Sequence, residues 1–192
     1  MANPMNAAPR EITRFNGRLY QIGVVVRQLE AGMAHYSTLL GLGPFARIDT
    51  SYTARYRDWT GHVANRNAFA RWGALYLEMI EPGEGLTNAR EWLETRGEGI
   101  FHLGYATDDL AQRPAGADVC FETLDTLTEQ GRPAIIHLDT VAQLGHFTEL
   151  ADRALVDRLC SWIDSTDNLH VDKHLYAARA GMGSPTAFIK PR

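Results

Sequence analysis

Two stretches of this chain set a polar, ligand-capable side chain into the same apolar frame. Gln21-Ile22-Gly23-Val24-Val25-Val26-Arg27-Gln28-Leu29 lies over His102-Leu103-Gly104-Tyr105-Ala106-Thr107-Asp108-Asp109-Leu110, an offset of 102 − 21 = 81 residues. Further on, each has a companion stretch with a central glutamate, Leu77-Glu78-Met79-Ile80 and Thr148-Glu149-Leu150-Ala151. One imidazole, one amide oxygen and two carboxylates form a hard, oxygen-rich donor set. Such a set suits Zn, Mn, Ni, Co or Fe(II) with positions left open to a substrate, and not a closed structural zinc, which prefers thiolates. A carboxylate in such a place can also serve as a general base, with burial and a metal moving its pKa in opposite directions. The alternative is that each of the four is an exposed polar residue on a half-solvated sheet, and taken singly that reading is favoured for Gln21 or Glu78. Their recurrence at matched positions favours a shared central cavity.

Strands must position these residues, because side chains alternate across a strand and a polar residue among apolar ones can be turned to one face. Leu19 to Val26 reads as a buried strand and Leu29 to Leu40 as a helix stopped by Gly41 and Gly43. Pro44 begins an extended run through Thr50, and Tyr52 to Asn67 reads as a long hairpin or loop. Phe69 to Trp72 and Ala74 to Glu81 read as strands, and Leu86 to Arg96 as a helix ended by Gly97. A second series begins with a strand at Ile100 to Thr107. An amphipathic helix over Val119 to Gln130, ending at Gly131, and strands at Ala134 to Asp139 and Gly145 to Leu150 complete it. Leu155, Val156, Leu159, Cys160 and Ile163 form a helical stripe, and a further short helix is expected at Leu169 to Ala180.

Three segments resemble the vicinal-oxygen-chelate superfamily, in particular its glyoxalase and methylmalonyl-CoA epimerase branch. They are QIGVVVRQLEAGMAHYSTLLGLGPF, then LYLEMIEP with RGEGIFHLGYATDDL, then HLDT with LGHFTEL, together covering about residues 19–151. The resemblance implies an α+β fold of paired βαβββ modules, forming a cupped mixed sheet around a metal site, with a C-terminal helical extension. It implies one divalent metal held by Gln21, Glu78, His102 and Glu149. Many members of the family carry His where Gln21 stands. The implied division is an arm over 1–18, modules over 19–98 and 99–151, and an extension over 152–192. Between Gly131 and Glu149 one strand is expected to be shortened or lost, with 115–117 as an inserted loop.

The implied chemistry is that of an isomerase, epimerase or lyase acting on a small oxygenated substrate through a metal-stabilised enolate or enediolate. Glu78 and Glu149, at equivalent places, are the candidate catalytic bases. Fe(II) dioxygenases of the same fold use two histidines and a carboxylate, whereas only His102 stands at a ligand place here. A non-catalytic ligand-binding protein of the resistance type is the other alternative. His170 and His174 lie four apart but lack the glutamate of HExxH, so surface or packing roles are favoured. His146 precedes Glu149 by three on one strand and is expected to face away, while His137 is ambiguous. Tyr56, Arg57, Trp59, His62, Arg66 and Arg71 either clamp an acidic group or form an exposed polar hairpin or dimer contact. GLGPF follows a helix and not a strand, so it does not read as a phosphate loop.

The net charge of -4 without a basic run argues against nucleic acid or an anionic membrane surface as partner. Cys120 and Cys160 have no metal-binding spacing and are expected to be reduced thiols. The first sixteen residues are polar, with two prolines and no apolar signal-peptide core, which points to a cytoplasmic protein. A small-molecule substrate and a homodimer are the expected partners.

Overall fold

The computed structural model describes residues 15–114 and 116–165. In chain order these form β1 (Arg18–Val25), α1 (Leu29–Leu40), β2 (Ala46–Tyr56), β3 (Trp59–Trp72), β4 (Leu75–Pro82), α2 (Asn88–Arg96), β5 (Gly99–Thr107), β6 (Val119–Thr123), β7 (Ile135–Leu138), α3 (Val141–Leu144), β8 (Phe147–Asp152) and α4 (Arg153–Asp164). The strands close into a barrel in the order β1-β4-β3-β2-β6-β7-β8-β5. Each half contributes four neighbouring strands, and the halves meet where β1 pairs antiparallel with β5 and β2 with β6. Closure leaves no free sheet edge, and it turns every second side chain inward. No helix among the described residues is long and apolar enough to cross a membrane.

The inward positions form three layers. On β4 they run Tyr76, Glu78, Ile80; on β8, Phe147, Glu149, Ala151; on β3, Val63, Asn65, Asn67, Phe69. One end is filled by Tyr20, Phe69, Tyr76, Ala106 and Ala151, covered by Val156, Leu159, Trp162 and Ile163 of α4. The other is filled by Val25, Val63, Ile80, Phe101, Phe121 and Phe147 under Ala89 and Trp92 of α2. Between them lies a polar layer that includes Gln21, Asn65, Asn67, His102, His137 and Glu149, all buried. Outside, α1 covers the reverse face of β3 and β4, against Ala68, Ala70, Leu77 and Met79.

Local chemistry sets the helix ends. The Thr87 hydroxyl accepts from the Arg90 amide at the start of α2, and the Asp152 carboxylate accepts from the Leu155 amide at the start of α4. After α1, Gly41 takes φ 65°, and its amide donates to the Ser37 carbonyl.

The second half departs from expectation at Val119–Gln130. Its apolar residues have helical spacing, yet Val119–Thr123 is β6 and the rest is a tight connection. Cys120, Phe121 and Thr123 are extended on the barrel wall, and the threonines bond locally. The Thr123 hydroxyl donates to the Thr126 carbonyl, and the Thr128 hydroxyl accepts from the Arg132 amide. Such side-chain-to-backbone bonds compete with helix formation. The half therefore keeps all four strands, two of them short, and among the described residues it shows no counterpart of α1 between β5 and β6. Tyr52 to Asn67 is not a loop but most of the β2–β3 hairpin, turned at Arg57 with φ 51°. Both cysteines are free. The expected helix at 169–180, with His170 and His174, lies outside the described residues.

Candidate functional site

Gln21 on β1, Glu78 on β4, His102 on β5 and Glu149 on β8 meet in the polar layer. His102 Nε2 lies 3.4 Å from Gln21 Nε2, 3.4 Å from Glu78 Oε2 and 3.8 Å from Glu149 Oε2. The Gln21 amide donates to Glu78. His137, on β7, also reaches this layer: its Nε2 lies 3.2 Å from Glu149 Oε2, and its Nδ1 is 2.7 Å from the Asn88 amide nitrogen. One ligand atom from each of His102, His137 and Glu149 lies within 4.8 Å of the others.

Two backbone devices in the repeat make this convergence possible. The first is space. A Cβ on Gly23 would fall 2.1 Å from the His102 ring, and one on Gly104 would fall 2.9 Å from Glu149 Oε1 and 3.0 Å from Gln21 Cβ. The glycine two residues after each site residue is thus the floor on which the opposite half's side chain lies. The second device is a pair of β-bulges. The β1–β5 register slips between Leu19 and Gln21 on one strand, and between Ile100 and His102 on the other. Each bulge sits directly before a site residue and turns the preceding aromatic side chain inward as well, Tyr20 in one half and Phe101 in the other. The Tyr20 hydroxyl then donates to Glu149 Oε1 at 2.6 Å.

The two glutamates occupy matched positions but differ electrostatically. Burial pushes the Glu78 carboxyl well above its ordinary range, the negative charge of Glu149 adds to this, and the Gln21 amide only partly opposes it. Burial acts on Glu149 in the same sense. There the imidazoles of His102 and His137 and the Tyr20 hydroxyl outweigh it and hold the carboxyl below its ordinary range. His102 is lowered to about 3 by burial, against the pull of Glu149, and so stands as a neutral imidazole.

This donor set fits a divalent ion. Nitrogen and oxygen ligands about 2.0–2.2 Å from an ion stand roughly 3.0–3.5 Å apart, close to the separations found here. Gln21 Oε1 and His102 Nδ1 are buried without a hydrogen-bond partner among the described residues. A half-turn of the Gln21 amide would aim that orphaned oxygen at the point its nitrogen now faces. A cavity of about 70 Å³, room for about five waters, opens onto Glu78, Glu149 and His137; Gln21 and His102 do not line it.

His137 is the residue least legible from sequence. The ambiguity over it resolves to a place in the cluster, which removes the argument that only one histidine stands at a ligand position. His146 lies outside the cluster, with its Nδ1 2.9 Å from the Phe147 carbonyl. The arginines of the first hairpin are paired within the chain: Arg57 with Glu91, Arg66 with Glu81 and Glu30, and Arg71 with Asp164. Tyr56 bonds Glu91, and His62 contacts Ser51. None of these forms a cationic clamp on the cavity.

Comparison with curated proteins found no match to the chain. Among solved structures, a hypothetical protein of Bacillus halodurans is similar at 19% identity, covering 72% of this chain and 95% of its own, with a TM-score of 0.49. Methylmalonyl-CoA epimerase of Streptomyces coelicolor is similar at 24% identity, covering 72% of this chain and 98% of its own, with a TM-score of 0.49. The epimerase of Mycobacterium tuberculosis is similar at 19% identity, covering 77% and 93%, with a TM-score of 0.47. The family model of the glyoxalase/bleomycin resistance protein/dioxygenase superfamily matches residues 20–120, over half the chain, from β1 into β6 and across Gln21, Glu78 and His102. With that match on a barrel of paired modules, the chain belongs to the glyoxalase/bleomycin resistance protein/dioxygenase superfamily.

Proposed function

We propose that this chain is a divalent-metal-dependent enzyme that moves a proton beside a carbonyl-type oxygen of a small oxygenated substrate, as an isomerase, epimerase or lyase. The observation that carries this reading is the pair of matched carboxyls at one cavity, with opposite proton affinities, both facing His102 Nε2. Gln21, His102 and Glu149 would hold the ion, and Glu78 completes the set or stands beside it. When bound, the ion supplies a Lewis acid that stabilises negative charge on a substrate oxygen.

The chain's own residues divide the remaining work. Tyr20 and His137 fix Glu149 in orientation, and with His102 they keep it ionised, as a ligand needs. Among the described residues Glu78 accepts a hydrogen bond from the Gln21 amide, and burial raises its affinity for a proton toward the range useful to a general acid or base. A neighbouring ion pulls that affinity back down, so the working value lies between the two limits. Apolar layers above and below the site exclude bulk water from the proton path.

The test is metal content by mass spectrometry, wild type beside His102→Ala and Glu149→Ala, followed by solvent-deuterium incorporation next to the carbonyl of small hydroxyketones. Near-stoichiometric metal lost in both variants, with exchange abolished in Glu78→Gln, is expected. A wild type that retains no Zn, Mn, Ni, Co or Fe(II) after incubation would overturn the proposal.

One observation favours a second reading. His102, His137 and Glu149 form a cluster of two imidazoles and one carboxylate, the donor set of non-haem Fe(II) oxygenases. Oxygen consumption by iron-loaded protein during turnover, with no deuterium exchange, would select it.

A further inference from the structure

Asn65 and Asn67 project from β3 into the cavity, and they are only 7% and 3% exposed. Each amide is half satisfied. Asn65 Nδ2 donates to the Tyr52 hydroxyl at 3.2 Å, and Asn67 Nδ2 donates to the Thr50 hydroxyl at 2.9 Å. The Oδ1 atoms of both are buried without a partner among the described residues. A buried polar atom left unsatisfied forfeits its hydration without return, so two of them on one strand work against stability. Their flanking inward neighbours, Val63 and Phe69, show what packing alone selects at such positions. The hydrogen bonds of the two amides go to Tyr52 and Thr50, not to Gln21, Glu78, His102 or Glu149, so holding an ion does not account for them.

The cavity wall restricts what can satisfy these amides. Among the described lining residues there is no Lys or Arg, and the acidic groups are Glu78 and Glu149. A carboxylate or phosphate on the far part of a substrate would only accept hydrogen bonds, would meet no cation there and would face two carboxyls. A hydroxyl both donates and accepts, and so satisfies an amide whichever way its ends are turned. We propose that Asn65 and Asn67 are specificity-determining residues that hydrogen-bond the hydroxyl groups of a neutral, polyhydroxylated carbonyl substrate, whose carbonyl end faces Glu78 and Glu149. The orientation of the carbonyl rests on the proton-transfer reading above; the amide contacts do not.

Acetoin and erythrulose provide the test. Both are four-carbon hydroxyketones, and erythrulose carries two further hydroxyls. Binding of each to the metal-loaded protein is measured by calorimetry, in wild type and in Asn65→Val and Asn67→Val. Net hydrogen bonds of about 0.5–1.5 kcal/mol each predict erythrulose binding about tenfold more tightly than acetoin. Each valine variant should narrow that gap, with metal content unchanged. Equal affinities in wild type would overturn the proposal, and so would a gap that survives in both variants. The wild-type comparison stands even if a variant fails to fold. Deuterium incorporation on the same samples separates the two readings: an erythrulose preference without exchange supports the amide wall and rejects proton transfer, whereas exchange without the preference does the reverse.

Discussion

Replacing Glu78 by Gln should stabilise the metal-free protein while impairing its function. Glu78 is 13% exposed at the cavity wall, and among the described residues it accepts a hydrogen bond from the Gln21 amide. A glutamine there can accept the same bond through its own oxygen, so no new orphan is created. At pH 7 an exposed glutamate with its ordinary pKa of 4.5 is ionised. Folding then requires either uptake of a proton across 7 − 4.5 = 2.5 units or burial of the charge beside Glu149. At 1.36 kcal/mol per unit, the proton-uptake route costs at most about 3 kcal/mol. The variant should therefore gain about 1–3 kcal/mol, or roughly 2–10 °C in Tm for a chain of this size.

The pH dependence fixes the cause. The folded-state pKa of Glu78 is raised, so its contribution is fully present below about pH 4.5 and is lost as pH rises through the folded value. Thermal melts of chelator-treated wild type and variant from pH 4.5 to 8 should start level and diverge with rising pH, the variant melting higher. Adding the metal should reverse the order, because a ligand that binds only the folded state stabilises by about 2.7 kcal/mol at a hundred times its Kd. Apo melts that coincide across the whole range, or a variant that melts lower, would refute the claim that this carboxyl is a buried, undercompensated acid.

Two further substitutions probe the same centre from positions that donate nothing to it. Gly23→Ala places a methyl group inside the His102 ring, whereas Gly104→Ala meets Glu149 Oε1, Gln21 Cβ and Tyr20 Cε1 at 2.9–3.1 Å. Both should lower metal content measured by mass spectrometry, and Gly23→Ala should do so more severely, with a stability loss of about 1–3 kcal/mol or more. Tyr20→Phe removes the hydroxyl that holds Glu149 and, as a hydrogen bond to a charged group, should cost about 1.5–3 kcal/mol. Its apo melting temperature should fall where that of Glu78→Gln rises. A Tyr20→Phe variant with unchanged melting and metal affinity would show that Glu149 does not depend on this contact.

The positions of Gln21, Glu78, His102 and Glu149 were legible because period-two alternation inside a closed sheet puts a polar residue at a fixed inward place. The repeat also marked the glycines, although only the structure explains them: their backbones are not left-handed, and the need is for space. The Val119–Gln130 segment misled because apolar residues three apart satisfy a helix as well as a strand with a tight connection. Threonines at 123, 126 and 128 were the contrary sign. The bulges at Tyr20 and Phe101 could not be read, since a one-residue slip leaves no mark on composition. His137 was obscured for a more instructive reason. It pairs across the sheet with Glu149, as Phe69 pairs with Glu78, so its counterpart in the first half is not a polar residue at all. A search by self-similarity finds what the halves share and overlooks what distinguishes them.

That difference is where the chemistry resides. A perfectly duplicated barrel would give its two glutamates identical surroundings, and two adjacent carboxyls with equal claims on a proton divide no labour. Here both departures from symmetry favour Glu149. Tyr20 gives it a hydroxyl where the matched Phe101 has none to offer Glu78, and His137 gives it an imidazole where Phe69 stands beside Glu78. Each exchange trades a ring of similar breadth for one with a polar atom, so the packing of the barrel survives while the electrostatics split. The supported carboxyl becomes a fixed anion, and the unsupported one retains its affinity for a proton. Pushing apart the pKa values of two neighbouring acids is the usual route to separate acid–base roles in one site. In this chain two aromatic positions, added to the pull of His102 on Glu149, do it.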